Sequence, residues 1–265
     1  MHPAAPATPN AALPPAFLQY LEGLSRDEPE AGRAERIAWR YSCFHQGLRY
    51  ADYVESHFFP LRGRQVLDAA CAWGGHALAF ASRGARVVAA DLNDHRFDRL
   101  AEFARQCHVE LQTVQANCEQ LPLGDQVADV VLGLELVEHI ASVPRFARQV
   151  GRVLRPGGVL LLSTPARWRS FFWGEPHYGI KGLTLLPLAW QRLVATRLFR
   201  RAYPYPIPRQ YNRARQVIQP FAELGLSGFP VMQGRLAERL RNHPRLSALA
   251  RERLWSFIVL ERRQA

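Results

Sequence analysis

The sequence predicts an α/β protein with a doubly wound, mostly parallel β-sheet at its centre. Between residues 65 and 163, short apolar runs alternate with longer segments whose apolar residues recur every three or four positions. The first run passes through Asp68 into a loop of small residues, 70–75, before the next helical segment. A last apolar run lies at 254–263. Strands that alternate with helices build a parallel sheet with helices on both faces.

The chain also predicts helices before the sheet. Residues 1–15 are rich in proline and alanine, so we expect a disordered tail there. Residues 16–60 predict a helical cap of two or three helices, and residues 61–265 predict the main domain. The cap has a largely aromatic face made of Tyr41, Phe44, Leu48, Tyr50 and Tyr53. This face either packs on the main domain or closes over a ligand.

Each strand and helix of the main domain is predicted by a pattern of residues in the sequence. Strands are predicted at 65–70, 86–91, 109–116, 127–134, 159–163 and 254–263. Helices are predicted after the small-residue loop, across 97–107 and across 143–154, where apolar residues share one face. The Arg-Pro-Gly-Gly run at 155–158 is a helix stop signal. Residues 164–210, dense in aromatic residues, prolines and arginines, predict an irregular insertion after the fifth strand.

The net charge of +11 is concentrated in the C-terminal third of the chain. Residues 181–265 contain 16 Lys and Arg against 4 Asp and Glu, whereas residues 1–180 are nearly neutral. This balance favours an anionic substrate, a membrane surface or nucleic acid as a partner. A solvated basic face without a partner is the alternative interpretation.

Composition argues against several other classes of protein. The four cysteines are scattered, without a C-x-x-C pair or a Cys/His cluster, so we expect reduced core residues and no structural zinc. The first residues lack the basic start and apolar run of a signal peptide, and no apolar stretch approaches the ~18 residues that span a bilayer. A cytoplasmic protein is the expectation.

In a doubly wound sheet, ligands bind beyond the carboxyl ends of the strands. Asp91 ends the second predicted strand, and a carboxylate there can accept hydrogen bonds from both hydroxyls of a ribose. The small residues of the 70–75 loop let backbone N–H groups approach a ligand. The G-x-G-x-x-G pattern that dinucleotides require is absent. S-adenosylmethionine, a nucleoside without phosphate, fits this layout.

The run VLDAACAWGG at 66–75 resembles the first motif of class I S-adenosylmethionine-dependent methyltransferases, V-L-D-x-G-C-G-x-G. Asp68, Cys71 and Gly74 match that motif, whereas Ala70 and Ala72 replace glycines. The later runs QANCEQLPLGDQVADVVL, LELVEHI and VGRVLRPGGVLLLSTP resemble further motifs in the family's order. Together they cover about residues 65–165 and the terminal strand.

This resemblance implies a Rossmann-like sheet with an antiparallel terminal strand, a lid insertion after the fifth strand, and S-adenosylmethionine as the cofactor. The implied cofactor-binding residues are Asp68, Ala70, Cys71, Ala72, Gly74, Asp91, Leu92, Asn117, Cys118, Glu119, Gly133 and Leu134. Asp91 would bind the ribose, while Asn117 and Cys118 would lie beside the adenine. Trp73 either packs between the loop and the N-terminal helices or lines the methionine end of the cofactor.

An oxygen acceptor generally needs a base as well as the methyl donor. His139 follows the fourth predicted strand and titrates near neutral pH, so it is the first catalytic candidate. Capping of the following helix is its alternative role. His177, in the insertion, is the second candidate. Glu135 and Glu138 are alternatives as divalent-ion ligands, as in relatives that methylate catechol-like quinone precursors, but we expect no metal.

The insertion is expected to set acceptor specificity as a lid. Its aromatic and histidine residues form either a pocket or an independent mini-core: Trp168, Phe171, Phe172, Trp173, His177 and Tyr178. Its arginines offer donors for phosphate or carboxylate: Arg167, Arg169, Arg192, Arg197, Arg200 and Arg201.

The sequence as a whole predicts methyl transfer from S-adenosylmethionine to a small-molecule or lipid-linked acceptor at oxygen. An anionic acceptor and peripheral membrane association are the expectations that follow from the basic C-terminal third. Methylation of RNA or protein is one alternative, but nucleic acid is not favoured because the sequence contains no recognisable nucleic-acid-binding module. A degenerate, non-catalytic binding protein is the other alternative, because alanines replace glycines in the loop.

Overall fold

A computed structural model describes residues 13–174, 177–201, 209–240 and 242–263. Residues 1–12 of the predicted disordered tail lie outside the described residues. The first helix begins at Leu13, so residues 13–15, which the sequence assigned to the tail, belong to a helix.

The helices and strands alternate through the middle of the chain. The helices are α1 (Leu13–Leu24), α2 (Arg33–His57), α3 (Gly75–Ala81), α4 (Phe97–Gln106), α5 (Val143–Val153), α6 (Arg167–Trp173), α7 (Leu188–Arg197), α8 (Ala214–Ala222), α9 (Arg235–Arg239) and α10 (Pro244–Leu254), with a 3-10 turn at Leu183–Leu185. The strands are β1 (Gln65–Asp68), β2 (Arg86–Asp91), β3 (Leu111–Gln115), β4 (Ala128–Leu134), β5 (Leu154–Ser163), β6 (Leu226–Val231) and β7 (Phe257–Arg262).

The strands form one seven-stranded sheet with the order β3-β2-β1-β4-β5-β7-β6. The pairs β1–β2, β1–β4 and β2–β3 are parallel, whereas β7 is antiparallel to both β5 and β6. This confirms the predicted Rossmann-like sheet with an antiparallel terminal strand. The chain divides into two compact units, Met1–Leu132 and Gly133–Ala265. The N-terminal helices fall within the first unit, and the predicted division into a cap and a main domain stays a prediction.

In the first unit, α2 packs against α3 through glycines. A Cβ on Gly47 would lie 2.7 Å from the Ala79 Cβ and 3.0 Å from the His76 Cα. A Cβ on Gly75 would lie 3.0 Å from the backbone nitrogen of Phe44. Because real Cβ atoms almost never approach this closely, glycine at both positions allows the two helices to touch.

The aromatic face of the N-terminal helices lies largely inside the first unit. Phe44 and Tyr50 are buried. Phe17 of α1 packs against Phe44 with the ring centroids 5.6 Å apart and against Phe103 of α4 at 6.1 Å. The packing interpretation of this face is therefore supported for Phe44 and Tyr50.

In the second unit, β7 lies between β5 and β6. The β7 residues from Phe257 to Leu260 are all buried. A Cβ on Gly228 of β6 would lie 1.8 Å from the Val259 carbonyl oxygen, so only glycine fits at that position. Phe146 of α5 and Phe221 of α8 meet edge to face with ring centroids 6.0 Å apart. These contacts form the apolar interior of the second unit.

Three parts of the second unit differ from the sequence prediction. β5 begins at Leu154, so the Arg-Pro-Gly-Gly run lies inside the strand, although α5 ends just before it as the stop signal predicts. The insertion is not irregular, because α6, the 3-10 turn and α7 lie within it. β6 was not predicted, because Gly228 and Pro230 argue against a strand. β6 lies at the edge of the sheet, where both residues are tolerated.

In the part of the chain that the structure describes, every helix falls short of the length or the apolarity that a bilayer crossing requires.

Gly47→Ala tests the close approach of α2 and α3. We expect a loss of about 1–3 kcal/mol in the free energy of unfolding, measured by urea denaturation, because the new methyl group overlaps α3. Gly23→Ala in α1 is the matched control, since a Cβ there meets nothing within 4 Å. The control should stabilise the protein by up to about 1 kcal/mol. Equal effects of the two substitutions would contradict the packing.

Candidate active site

Asp91 ties the loop after β1 to the end of β2. One of its carboxylate oxygens accepts a hydrogen bond from the Ala72 N–H at 2.9 Å, and the other accepts from the Asn93 N–H at 2.9 Å. The Cys71 N–H donates to the Ala90 carbonyl at 2.9 Å. Because each carboxylate oxygen offers a second lone pair, Asp91 can still accept hydrogen bonds from ligand hydroxyls. The structure thus brings the predicted loop and the predicted acid together.

The two alanines that replace motif glycines differ in backbone conformation. Ala72 has a φ of 46°, in the left-handed region, whereas Ala70 does not have a positive φ. Gly74 has a φ of 79°, and a Cβ there would lie 2.5 Å from the Leu100 Cδ1. The left-handed conformation costs a non-glycine residue roughly 1–2 kcal/mol. Ala72 is therefore strained, Ala70 is not, and Gly74 is required.

Trp73 is held between two arginines, one from α2 and one at the start of α4. The guanidinium carbon of Arg40 lies 3.4 Å from the Trp73 ring centroid, and that of Arg96 lies 4.1 Å from it. Arg40 is buried and also pairs with Glu28 at 2.8 Å. The structure therefore supports the packing interpretation of Trp73. Sequence analysis missed both arginines because they meet the indole only after the helices fold onto the loop.

Asp68 is a buried carboxylate at the end of β1. It accepts hydrogen bonds from the Ala70 and Ala77 N–H groups, whereas its Oδ2 has no hydrogen-bond partner within the described residues. Burial, followed by the negative charge of Asp91, raises the pKa of Asp68 to about 7. A cationic ligand group against Oδ2 would lower this pKa and favour the ionised carboxylate.

Further residues predicted to bind the cofactor lie after β2 and β3, and among them Asn117 and Cys118 are predicted beside the adenine. Leu92 is 64% exposed. The Asn117 Oδ1 accepts a hydrogen bond from the Glu119 N–H at 2.9 Å. Cys118 is buried, and burial raises the pKa of its thiol to about 12, so the thiol stays neutral. Contact of these residues with an adenine stays a prediction.

Gly133 and Leu134 are buried residues of β4 in the second unit. A Cβ on Gly133 would lie 2.8 Å from the Leu162 Cδ2 and 3.2 Å from the Phe146 ring, so packing alone explains this glycine. The predicted contact of both residues with the cofactor stays a prediction.

Within the second unit, Glu135 joins the ends of β4 and β5. It has a φ of 49°, and its N–H donates to the Ser163 carbonyl at 2.9 Å. The Ser163 hydroxyl donates in turn to the Glu135 carboxylate at 2.7 Å. The fold therefore uses the Glu135 carboxylate as a strand-end anchor, a role that sequence analysis did not assign.

The two predicted base candidates lie side by side. The rings of His139 and His177 are perpendicular, with centroids 5.2 Å apart. The buried Glu138 carboxylate lies 3.9 Å from the His139 Nε2. One ligand atom from each of these three residues lies within 4.8 Å of the others. Such a set suits a general base with its orienting carboxylate, and its donor types are also those that transition metals take.

The segment that carries His139 is held in place by the residues before α8. The Tyr211 hydroxyl donates to the Val137 carbonyl at 3.3 Å. The Arg209 guanidinium donates to the carbonyls of Ile140 and Ala141. Side chains from one segment therefore hold the backbone on both sides of His139.

The insertion has both a mini-core and a cleft. Its mini-core consists of Tyr178, Ile180, Leu183 and Ala195, with Leu186 and Val194 packed against it. A cleft of about 410 Å³ is lined by Arg167, Trp168, Phe171, Thr184, Leu185, Asn212, Arg213 and Arg253. The Arg167 Nε donates to the Thr184 carbonyl at 2.8 Å, so Arg167 holds the insertion together. Closure of the insertion as a lid stays a prediction.

Comparison with known proteins gives the same family as the motifs. Residues 67–162 match the family model described as a methyltransferase domain. A ubiquinone biosynthesis O-methyltransferase of Agrobacterium fabrum is 34% identical over 105 residues, which are 40% of this chain and 42% of that protein. A protein of Mycobacterium tuberculosis named as a probable S-adenosylmethionine-dependent methyltransferase is 36% identical over 104 residues, 39% and 36% of the two chains. The chain thus spans about two fifths of the length of these curated relatives.

Solved structures match over more of the chain. A geranyl diphosphate methyltransferase in complex with its cofactor aligns with a TM-score of 0.55 and 16% identity. The alignment covers 100% of this chain and 98% of that chain. At this level of identity the likeness shows the fold.

Ala72→Gly tests the strain in the loop. We expect it to raise the free energy of unfolding by up to about 1 kcal/mol, because glycine adopts a positive φ without strain. Ala70→Gly is the matched control and should instead lower stability by about 0.5–1 kcal/mol through the entropy of the unfolded chain. Thermal or urea denaturation measures both. Destabilisation by both substitutions would refute the strain at Ala72.

Asp68 makes stability depend on pH. Because its folded pKa of about 7 exceeds the ordinary 3.8, the folded state holds the proton more tightly. Asp68 therefore contributes most to stability near pH 4, and this contribution falls by up to about 4 kcal/mol as pH rises toward 7. Asp68→Asn should flatten this slope in urea denaturation followed from pH 4 to 8, while the exposed control Asp94→Asn keeps it. An unchanged slope in Asp68→Asn would count against the assignment.

Proposed function

We propose that this chain, whose residues 67–162 match a methyltransferase domain, is a class I S-adenosylmethionine-dependent methyltransferase that transfers a methyl group to an oxygen atom of a small-molecule or lipid-linked acceptor. The observation that carries the proposal is the Ala72–Asp91 hydrogen bond, because it preserves the loop and acid of a cofactor site despite the two alanines. The name of the Agrobacterium relative, an O-methyltransferase, supports oxygen as the accepting atom.

The first unit supplies the cofactor-binding groups. Asp91 accepts hydrogen bonds from the ribose hydroxyls, and exposed Leu92 offers an apolar surface to the adenine. The unpartnered Oδ2 of Asp68 suits the cationic methionine end of the cofactor. When bound, S-adenosylmethionine supplies a methyl group on a sulfonium, which is already activated toward nucleophiles.

In the second unit, His139 receives the proton that the acceptor hydroxyl loses as its oxygen forms the new bond to the methyl carbon. Glu138 lies 3.9 Å from the His139 Nε2, close enough to stabilise the imidazolium that results. With the cofactor bound, the methyl carbon would leave sulfur, which would keep the electron pair of the broken bond. His177, beside His139, is the second candidate for the same proton.

The cleft of the insertion supports an anionic or aromatic acceptor. It combines the indole of Trp168 and the ring of Phe171 with the guanidinium groups of Arg213 and Arg253. The Arg253 guanidinium carbon lies 6.0 Å from the Trp168 ring centroid. Guanidinium groups bind carboxylate and phosphate, and aromatic walls accept flat rings. A volume of about 410 Å³ suits a small molecule.

A non-catalytic binding protein is the second candidate. The specific observation in its favour is the left-handed φ of Ala72, which places a strained non-glycine residue in the cofactor loop. Methyl transfer to any acceptor by the purified chain would rule this candidate out.

Asp91→Ala tests the cofactor site. We expect the affinity for S-adenosylhomocysteine to fall by about 1–3 kcal/mol, since both the loop amide and the ribose lose their acceptor. The control Asp94→Ala, an exposed aspartate in the same loop, should bind as wild type does. Equilibrium dialysis with labelled ligand measures the affinities. Wild-type affinity in Asp91→Ala would show that the site is misplaced.

The proposed reaction is tested with methyl-labelled S-adenosylmethionine and a panel of catechol-type quinone precursors, phenolic acids and lipid-linked glycans. We expect the label to appear in an oxygen–methyl product of one class. His139→Ala should then lower kcat by roughly 10²–10⁴-fold, leave cofactor affinity unchanged and remove the acid limb of the pH–rate profile.

The same assay separates a base from a metal ligand. If His139 is the base, dialysis against a chelator leaves the wild-type rate unchanged, and Glu138→Gln lowers kcat less than His139→Ala does. Equal losses of turnover and cofactor affinity in His139→Ala would make this residue structural. Label transferred to nitrogen or to RNA would refute oxygen as the acceptor.

A further inference from the structure

The solvent side of α7 and the turns before and after it expose an unusual number of large apolar side chains. Within this surface Leu198 is 73% exposed, Leu185 59%, Trp190 58%, Phe199 48% and Leu193 46%. Single exposed apolar residues are common on proteins, but a cluster in 15 consecutive residues, 185–199, is not. We call these five exposed residues the α7 face.

The opposite side of α7 packs on the mini-core, which holds the helix in place. The residues of the α7 face are therefore not core residues that have lost their packing partners. Ala195 is fully buried in the mini-core, and Val194 packs against it. Gln191 is buried and donates to the Leu186 carbonyl at 2.8 Å. Trp190, by contrast, lies on the solvent side of the helix. The helix thus has an apolar anchor on one side and an apolar surface on the other.

The charge around the α7 face has one sign. Residues 177–201 contain five basic residues and neither aspartate nor glutamate. Arg192 and Arg197 project from α7 and are exposed, and exposed Arg200 follows the helix. Trp190, Leu193 and Arg197 are spaced by three and four positions, which places them on one stripe of the helix.

We propose that the α7 face docks the protein on the surface of an anionic phospholipid bilayer. Tryptophan and leucine enter the boundary between headgroups and acyl chains, while arginines beside them pair with lipid phosphates. The binding needs neither the methyl donor nor an acceptor, so it stands independently of the proposed reaction.

The mixture of residues favours a bilayer over other partners. Nucleic acid would use the arginines and the indole but would leave Leu193 and Leu198 in water. A protein partner would cover the leucines but does not require charge of a single sign. A bilayer with anionic headgroups satisfies both features at once.

Vesicle flotation tests the proposal with the full chain and without ligand. We expect wild-type protein to float with vesicles of phosphatidylcholine and phosphatidylglycerol, and to remain below with phosphatidylcholine alone. The double variant Trp190→Ser/Leu193→Ser should weaken binding at least ten-fold. Arg192→Gln/Arg197→Gln should weaken it by roughly twenty-five-fold, at about five-fold for each basic residue. Added salt should weaken wild-type binding in the same direction.

Leu246→Ser/Leu249→Ser is the matched control, because these leucines of α10 are each 56% exposed but lie outside the α7 face. It should float as wild type does. Circular dichroism and thermal melting confirm that each variant is folded, and the arginine variant leaves the apolar residues intact. Equal binding to neutral vesicles, equal loss in the α10 control, or salt-sensitive binding to RNA without flotation would overturn the proposal. A dimer that the Trp190→Ser/Leu193→Ser variant dissociates, without flotation of the wild type, would overturn it too.

Discussion

The hydrogen bond from the Ala72 N–H to the Asp91 carboxylate is the contact on which the proposed cofactor site depends. It joins the loop after β1 to the end of β2, and Trp73 fastens the same loop to the N-terminal helices through Arg40. Alanine at position 72 adds strain, but these contacts hold the loop in a left-handed turn that glycine would adopt freely. The charge of Asp91 also helps to keep Asp68 a weak acid. The Asp91 carboxylate therefore both holds the loop and raises the pKa of Asp68.

In the second unit, another carboxylate holds two strand ends together. Glu135 has a left-handed φ, as Ala72 does, and its hydrogen bonds with Ser163 hold together the ends of β4 and β5. The next residues carry Glu138 and His139, and Tyr211 and Arg209 bind the backbone on either side. Packing of the insertion brings His177 against His139. A pair of adjacent histidines beside a buried carboxylate thus arises from segments that are distant in the sequence.

The sequence was enough to predict the sheet from β1 to β5 and the terminal strand, because each strand has an apolar run and each helix an apolar face. It also predicted that Asp68 and Asp91 end the first two strands and that His139 follows the fourth. It did not predict β6, since Gly228 and Pro230 weaken a strand pattern whose fit depends on β7 alongside. Nor did it predict the Arg40–Trp73–Arg96 contact or the Glu135–Ser163 pair, because tertiary folding creates both. The strain at Ala72 could not be predicted either, because the sequence does not give the backbone φ of a residue.

The proposed function requires that the loop with alanines at positions 70 and 72 still binds the cofactor. Calorimetric titration of the wild-type chain with S-adenosylhomocysteine tests this most directly, because the product binds without any acceptor. We expect one site with a dissociation constant in the micromolar range, and binding that strengthens as pH rises through 7 and Asp68 ionises. No heat of binding at millimolar ligand would contradict it, and would leave the fold as a scaffold without its cofactor.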